Sequence, residues 1–135
     1  MILLILITFW LSTSYSDSAA GKGIVFFEGT LKEAFELSRK TNKPIFVDVY
    51  ASWCGQCRQL KKTFKDAEVA AYYNANFINI AVDGEKDDGP ALMKRYGIKS
   101  YPTLLILDAN SKQLARATGF MKPYILINFG RRVVP

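Results

Sequence analysis

Cys54 and Cys57 are the only cysteines in this 135-residue chain, and they stand three apart in the run Trp53-Cys54-Gly55-Gln56-Cys57. That spacing brings two sulfurs close enough to bridge. The pair follows an apolar, strand-like run from Ile45 to Tyr50 and precedes a helical one in which Leu60 and Phe64 share a face. The first cysteine therefore falls at a helix N-terminus, where free backbone N–H groups and the helix dipole favour a thiolate. Thiolate is the species that attacks disulfides, so the arrangement points to thiol–disulfide exchange.

Other uses of two cysteines fit less well. Structural zinc takes four ligands, usually Cys and His, and the chain has no His and no third Cys. A c-type haem attachment needs His after the second cysteine, where Arg58 stands. A purely structural bridge would close a very short loop, for which chain-entropy stabilisation is smallest. It stays open as the inert alternative.

The elements that must position the pair can be read on either side of it. Ile24 to Phe27 is a short strand candidate. Thr30-Leu31-Lys32-Glu33 is a capping box that opens a helix, which Asn42 and Pro44 end. Ile45 to Tyr50 is nearly continuous apolar, as in a central strand covered on both faces, and only Asp48 interrupts it. In the helix after Cys57, Arg58, Lys61, Lys62 and Lys65 read as exposed. Asp66 caps a further turn through Tyr73. Phe77 to Val82 is another strand. Pro90 opens a helix that Gly97 caps. Thr103–Leu107 and Gln113–Ala117 form a hairpin across a turn at 108–111, and Pro123 opens a last helix. The order is β-α-β-α-β-α-β-β-α, an α/β fold with a central mixed sheet flanked by helices. Helices between strands imply parallel pairing, and the hairpin adds an antiparallel pair.

Length indicates one domain. Met1 to Leu11 is an apolar block of about 16 Å as a helix, too short for a bilayer core. Small residues at Ser18 and Ala20 resemble a signal-peptidase site, although no Lys or Arg precedes the block. We read residues 1–20 as a cleaved secretory signal and 21–135 as the domain, with a retained membrane anchor as the alternative. Removing 1–20 takes away one acid, Asp17, and no base, so the net charge rises from +6 to +7. The basic residues form no nucleic-acid stripe, and a solvated basic surface is the simplest account. An exported, periplasmic or secreted location suits dithiol chemistry.

With Trp53-Cys54-Gly55-Gln56-Cys57 after the second strand, this order resembles thioredoxin over about residues 24–130. Asp48, six residues before Cys54, stands where thioredoxins place a buried acid. Tyr101-Pro102-Thr103 matches the segment whose proline is cis in that family, and Gly119 the glycine after the last strand. Thr63-Phe64, Asp66, Val69 and Thr118-Gly119-Phe120-Met121 are similar to the C-terminal periplasmic domain of the disulfide-interchange protein DsbD. The chain carries no polytopic membrane segment like that transporter's, so the resemblance implies a free-standing relative. Three positions depart from thioredoxin. Gln56 replaces a proline, Lys62 replaces a helix-kinking proline, and Asn79 replaces a lysine beside the buried acid. Loss of that cation should raise the proton affinity of Asp48.

The resemblance implies roles. Cys54 attacks and Cys57 resolves the mixed disulfide. Asp48 accepts and returns the Cys57 proton, unless it is a solvated strand-end acid. Trp53 covers the sulfurs, or is a plain core aromatic. Gly55 and Gln56 complete the substrate-facing turn, with Gln56 a neutral polar group. Pro102 holds Tyr101 so that its backbone pairs with an extended substrate, unless the turn is only structural. The implied function is a protein-disulfide reductase or isomerase. It needs no cofactor or metal beyond the Cys54–Cys57 couple. Its partners are protein disulfides and a redox protein, with no nucleic acid, no membrane insertion after cleavage, and a monomeric state. A thiol peroxidase of the same fold, or a non-catalytic binding module with the cysteines permanently bridged, are the alternatives.

Overall fold

The computed structural model describes residues 22–135. The expected signal segment, residues 1–20, lies outside them. Nine elements follow in order: α1 (Leu31–Thr41), β1 (Ile45–Tyr50), α2 (Gly55–Phe64), α3 (Ala67–Asn76), β2 (Ile78–Asp83), α4 (Gly89–Arg95), β3 (Thr103–Leu107), β4 (Gln113–Thr118) and α5 (Pro123–Arg131). No helix among them is long and apolar enough to cross a membrane.

The sheet runs β2-β1-β3-β4. β1 is parallel to β2 and antiparallel to β3, which pairs antiparallel with β4. The central strands are buried on both faces, which is why Ile45–Tyr50, apart from Asp48, and Leu104–Leu107 read as continuous apolar runs. Alternation sorts their side chains into two cores. Phe46, Leu104 and Ile106 pack against Leu60 and Phe64 of α2, Tyr73 of α3 and Leu126 of α5. Ile45, Val47, Val49 and Leu105 pack on the other face, against Ala34 of α1 and Leu92 of α4.

Local chemistry sets the helix ends. Thr30 and Glu33 form the reciprocal capping box, with Glu33 N–H donating to Thr30 Oγ1 at 3.1 Å and Thr30 N–H to Glu33 Oε2 at 2.9 Å. Asn42 ends α1 in the left-handed region. Asp66 Oδ1 accepts from the Glu68 and Val69 amides, and it starts a separate ten-residue helix, α3, where the sequence suggested one further turn.

Two expectations need correction. Ile24 to Phe27 is not a strand but a single bridge, Phe26 to Asn79. Its backbone donors go to three different partners: Ile24 to the Phe64 carbonyl, Val25 to the Asn74 side chain and Phe27 to the Asn79 carbonyl. No ladder can run along such a path. The second correction concerns β3, which follows a helix yet is antiparallel to β1. A seven-residue helix rises about 10 Å, half the roughly 20 Å of a six-residue strand. Too short to return the chain to the start of the sheet, α4 lets it re-enter near the end where β2 left, with Thr103 beside Val49.

Candidate redox site

The site forms where β1 ends and α2 begins. Cys54 is the N-cap of α2, and its Sγ accepts the Cys57 amide at 3.1 Å. Cys54 and Cys57 are bridged, with Cα atoms 5.3 Å apart. The sulfur of Cys54 therefore lies on the free N–H groups of a ten-residue helix whose first turn holds no acid and whose last turn holds Lys61 and Lys62. This is the environment that stabilises a thiolate once the bridge opens. Both cysteines are recessed, 5% and 3% exposed, against Ala51, Tyr50 and Tyr101.

Trp53 stands outside this cluster, 65% exposed, so it is no core aromatic. Its Nε1 donates to Glu85 at 3.0 Å, and its ring meets Tyr101 edge-on at 5.7 Å. The Tyr101–Pro102 bond is cis, and Pro102 is buried, its carbonyl accepting the Gly119 amide at 2.9 Å. Tyr101 thus packs on the cysteines and also meets the Trp53 ring. Gly55 is exposed, and a Cβ there would meet only the Arg58 guanidinium, at 3.7 Å. Gln56 does more than offer a neutral surface: its Oε1 accepts the Phe120 amide at 3.3 Å, tying the start of α2 to the segment after β4. Nothing in the residue types at 56 and 120 announces that contact, because a backbone amide is the donor.

Asp48 is 3% exposed, and its Oδ1 has no hydrogen-bond partner. Burial raises its pKa from 3.8 to about 7, and Lys61 opposes the rise. On the same sheet face, β2 offers it Ala81 as register partner, with Asn79 two residues away. The Asn79 amide is directed elsewhere, to the Tyr73 carbonyl at 3.2 Å. A cleft of about 350 Å³, lined by Asp48, Tyr50, Lys61, Phe64 and Lys65 among others, connects the carboxyl to the surface. Lys61 is exposed, as the sequence indicates, and it also lines this cleft. Its spacing of four from Cys57 was the available signal, since it puts both on one helix face. A roomier cavity of about 560 Å³, between α1 and α4, contains none of these residues.

The comparisons agree with this architecture. The thioredoxin-like domain family matches residues 31–133, and the chain belongs to that family. A protein disulfide-isomerase, erp38, of Neurospora crassa is 36% identical over 75 residues, 55% of this chain and 20% of that protein. The thiol:disulfide interchange protein DsbD of Ralstonia nicotianae is 29% identical over 120 residues, 84% of this chain and 20% of its own length. The chain thus spans about a fifth of these curated relatives. Among solved structures, a proposed disulphide-isomerase from Bacteroides thetaiotaomicron is 38% identical with a TM-score of 0.72, covering 80% of this chain and 90% of the other. The oxidised DsbD C-terminal domain of Neisseria meningitidis is 26% identical with a TM-score of 0.66, covering 80% and 98%.

Proposed function

We propose that the protein is a thiol–disulfide oxidoreductase that reduces or isomerises protein disulfides through Cys54 and Cys57. The observation that carries this reading is the place of the Cys54 sulfur, at the N-cap of α2 and accepting the Cys57 amide. Relatives named for disulfide isomerisation and interchange support it.

In the reducing direction, the Cys54 thiolate attacks a substrate disulfide. One S–S bond breaks, one substrate sulfur leaves as thiolate, and a mixed disulfide to Cys54 forms. Cys57 then gives its proton to Asp48. The Cys57 thiolate attacks Cys54, the second substrate thiolate leaves, and Asp48 passes its proton on. Two electrons have moved from the dithiol to the substrate, and a partner dithiol protein must restore them. The couple carries the electrons in its own S–S bond, so the reading calls for no further cofactor. Extended substrate would lie against Trp53, Gly55, Gln56 and the Tyr101–Pro102 backbone, in a short strand-like pairing. We assign the protein to an exported, periplasmic or secreted compartment, as a monomer after loss of residues 1–20.

Dithiothreitol-driven insulin reduction tests this reading. The protein should speed insulin precipitation well above the dithiothreitol blank, and Cys54→Ser should abolish the gain. A rate equal to the blank would make it a binding module with a fixed bridge.

A further inference from the structure

The proton step raises a question that the site leaves open: what keeps a carboxylate available in so apolar a place? Asp48 lies opposite Leu104 on one side and Ala81 on the other, neither of which carries a polar side-chain atom. The Asn79 amide bonds to the Tyr73 and Phe77 carbonyls. The Tyr73 hydroxyl is committed to the Leu126 carbonyl at 2.7 Å. The Asn79 amide and the Tyr73 hydroxyl, neutral donors near this face, are thus engaged elsewhere.

The cleft over Asp48 supplies the missing charge. Asp48 and Tyr50, two apart on β1, point to the same face. Cys57 and Lys61, four apart on α2, lie on one side of that helix. Lys61 Nζ sits 5.4 Å from the Tyr50 ring centroid, at the wall of the cleft that Asp48 also lines. Its aliphatic stem can follow the helix while the ammonium faces water and carboxyl together. The other charged or titratable groups facing the cleft are Lys65 just past α2, Lys22 before the first bridge, and the Tyr50 phenol. Asp83, at the end of β2, acts on Tyr50.

We propose that Lys61 is a positioning residue for the proton step: its ammonium, beside the Tyr50 ring at the wall of the cleft that Asp48 lines, supplies from α2 the counter-charge that Asn79 does not supply from β2. In resolution, the Cys57 thiol gives its proton to the Asp48 carboxylate, and that proton then leaves to solvent through the cleft beside Lys61. The attraction Lys61 exerts on the ionised carboxyl opposes desolvation. This inference rests on the oxidoreductase reading for its kinetic part only. Its electrostatic part concerns the oxidised, resting protein.

The test separates the two. Carbon-13 NMR of the Asp48 carboxyl in the oxidised protein reads its titration without any turnover. Lys61→Met keeps the stem and removes the charge, so the midpoint should rise, by about threefold or more in proton affinity. Lys61→Arg should restore it, and Lys62→Met should leave it in place. Single-turnover resolution of a mixed disulfide gives the second readout. Lys61→Met should resolve about two- to threefold more slowly near pH 7 and at the wild-type rate near pH 9, where Asp48 is ionised in both proteins. An unmoved midpoint in Lys61→Met, an arginine variant that behaves like the methionine one, or a slowing of equal size at every pH would each overturn the proposal. Failure of the wild-type protein to reduce insulin would instead remove the oxidoreductase reading, and the titration would still decide whether Lys61 is coupled to Asp48.

Discussion

Replacing Asp48 with asparagine isolates the cost of a carboxylate in the sheet core. The folded pKa, about 7, lies above the ordinary 3.8, so as pH rises the unfolded chain loses its proton first. The native state is therefore penalised above pH 3.8, increasingly until about pH 7, and by a constant amount beyond. A separation of about three units corresponds to about 4 kcal/mol near pH 7.5 and to about 1.5 kcal/mol near pH 5. Asparagine removes this penalty but brings a buried –NH₂ with no acceptor prepared, which costs about 1–3 kcal/mol. The amide cost is the same at both pH values and cancels in the comparison. Asp48→Asn should thus gain about 2.5 kcal/mol relative to wild type between about pH 5 and pH 7.5, or roughly 10 °C in Tm. Urea unfolding of the two oxidised proteins at both pH values measures it. The same variant should resolve mixed disulfides more slowly near neutral pH. A stability difference that does not change with pH would refute the burial argument, and resolution as fast as wild type would remove Asp48 from the proton step.

Three further outcomes follow from the geometry. In the reduced protein, Cys54 should alkylate before Cys57 at neutral pH, and Cys57→Ser should accumulate mixed disulfides with substrate; faster alkylation of Cys57 would reverse the assigned roles. Trp53→Ala should change stability by about 1 kcal/mol or less, because the ring is mostly exposed and its Nε1 bond to Glu85 is at the surface, yet raise the KM for a protein disulfide; a large loss in a thermal melt would contradict that placement. Gly89→Ala should destabilise by about 2–3 kcal/mol, since a Cβ there would run into the Asp83 carbonyl and come within 2.7 Å of the Gly84 carbonyl carbon; a wild-type urea midpoint would show that this turn can relax.

Much of the site was legible because short-range rules govern it. A cysteine pair at a strand-to-helix junction places its first member at the cap, and the structure puts Cys54 there. Asp48 is flanked by Val47 and Val49 in an otherwise apolar strand, which argues for burial whatever its own charge. The capping box at Thr30 and the helix-ending Asn42 are likewise local. Long-range geometry was harder to read. The direction of β3 depends on how far α4 can carry the chain, and hydrophobic pattern says nothing of that distance. Ile24 to Phe27 has the composition of a strand, but its partners lie on three elements distant in sequence. Lys61 and Lys65 look alike as exposed bases; only the packing of α2 over β1 brings Lys61 over the Tyr50 ring. Gln56 gains its meaning from a backbone amide 64 residues away.

The proposed function requires that the Cys54–Cys57 bridge be a working redox couple and not a fixed staple. Its equilibrium with glutathione or dithiothreitol buffers, read by thiol trapping across a range of potentials, tests this most directly. Full, reversible conversion between bridge and dithiol is expected, with a midpoint in the range of roughly −270 to −120 mV that dithiol oxidoreductases occupy. A bridge that stays closed below about −300 mV, as structural disulfides do, would contradict it.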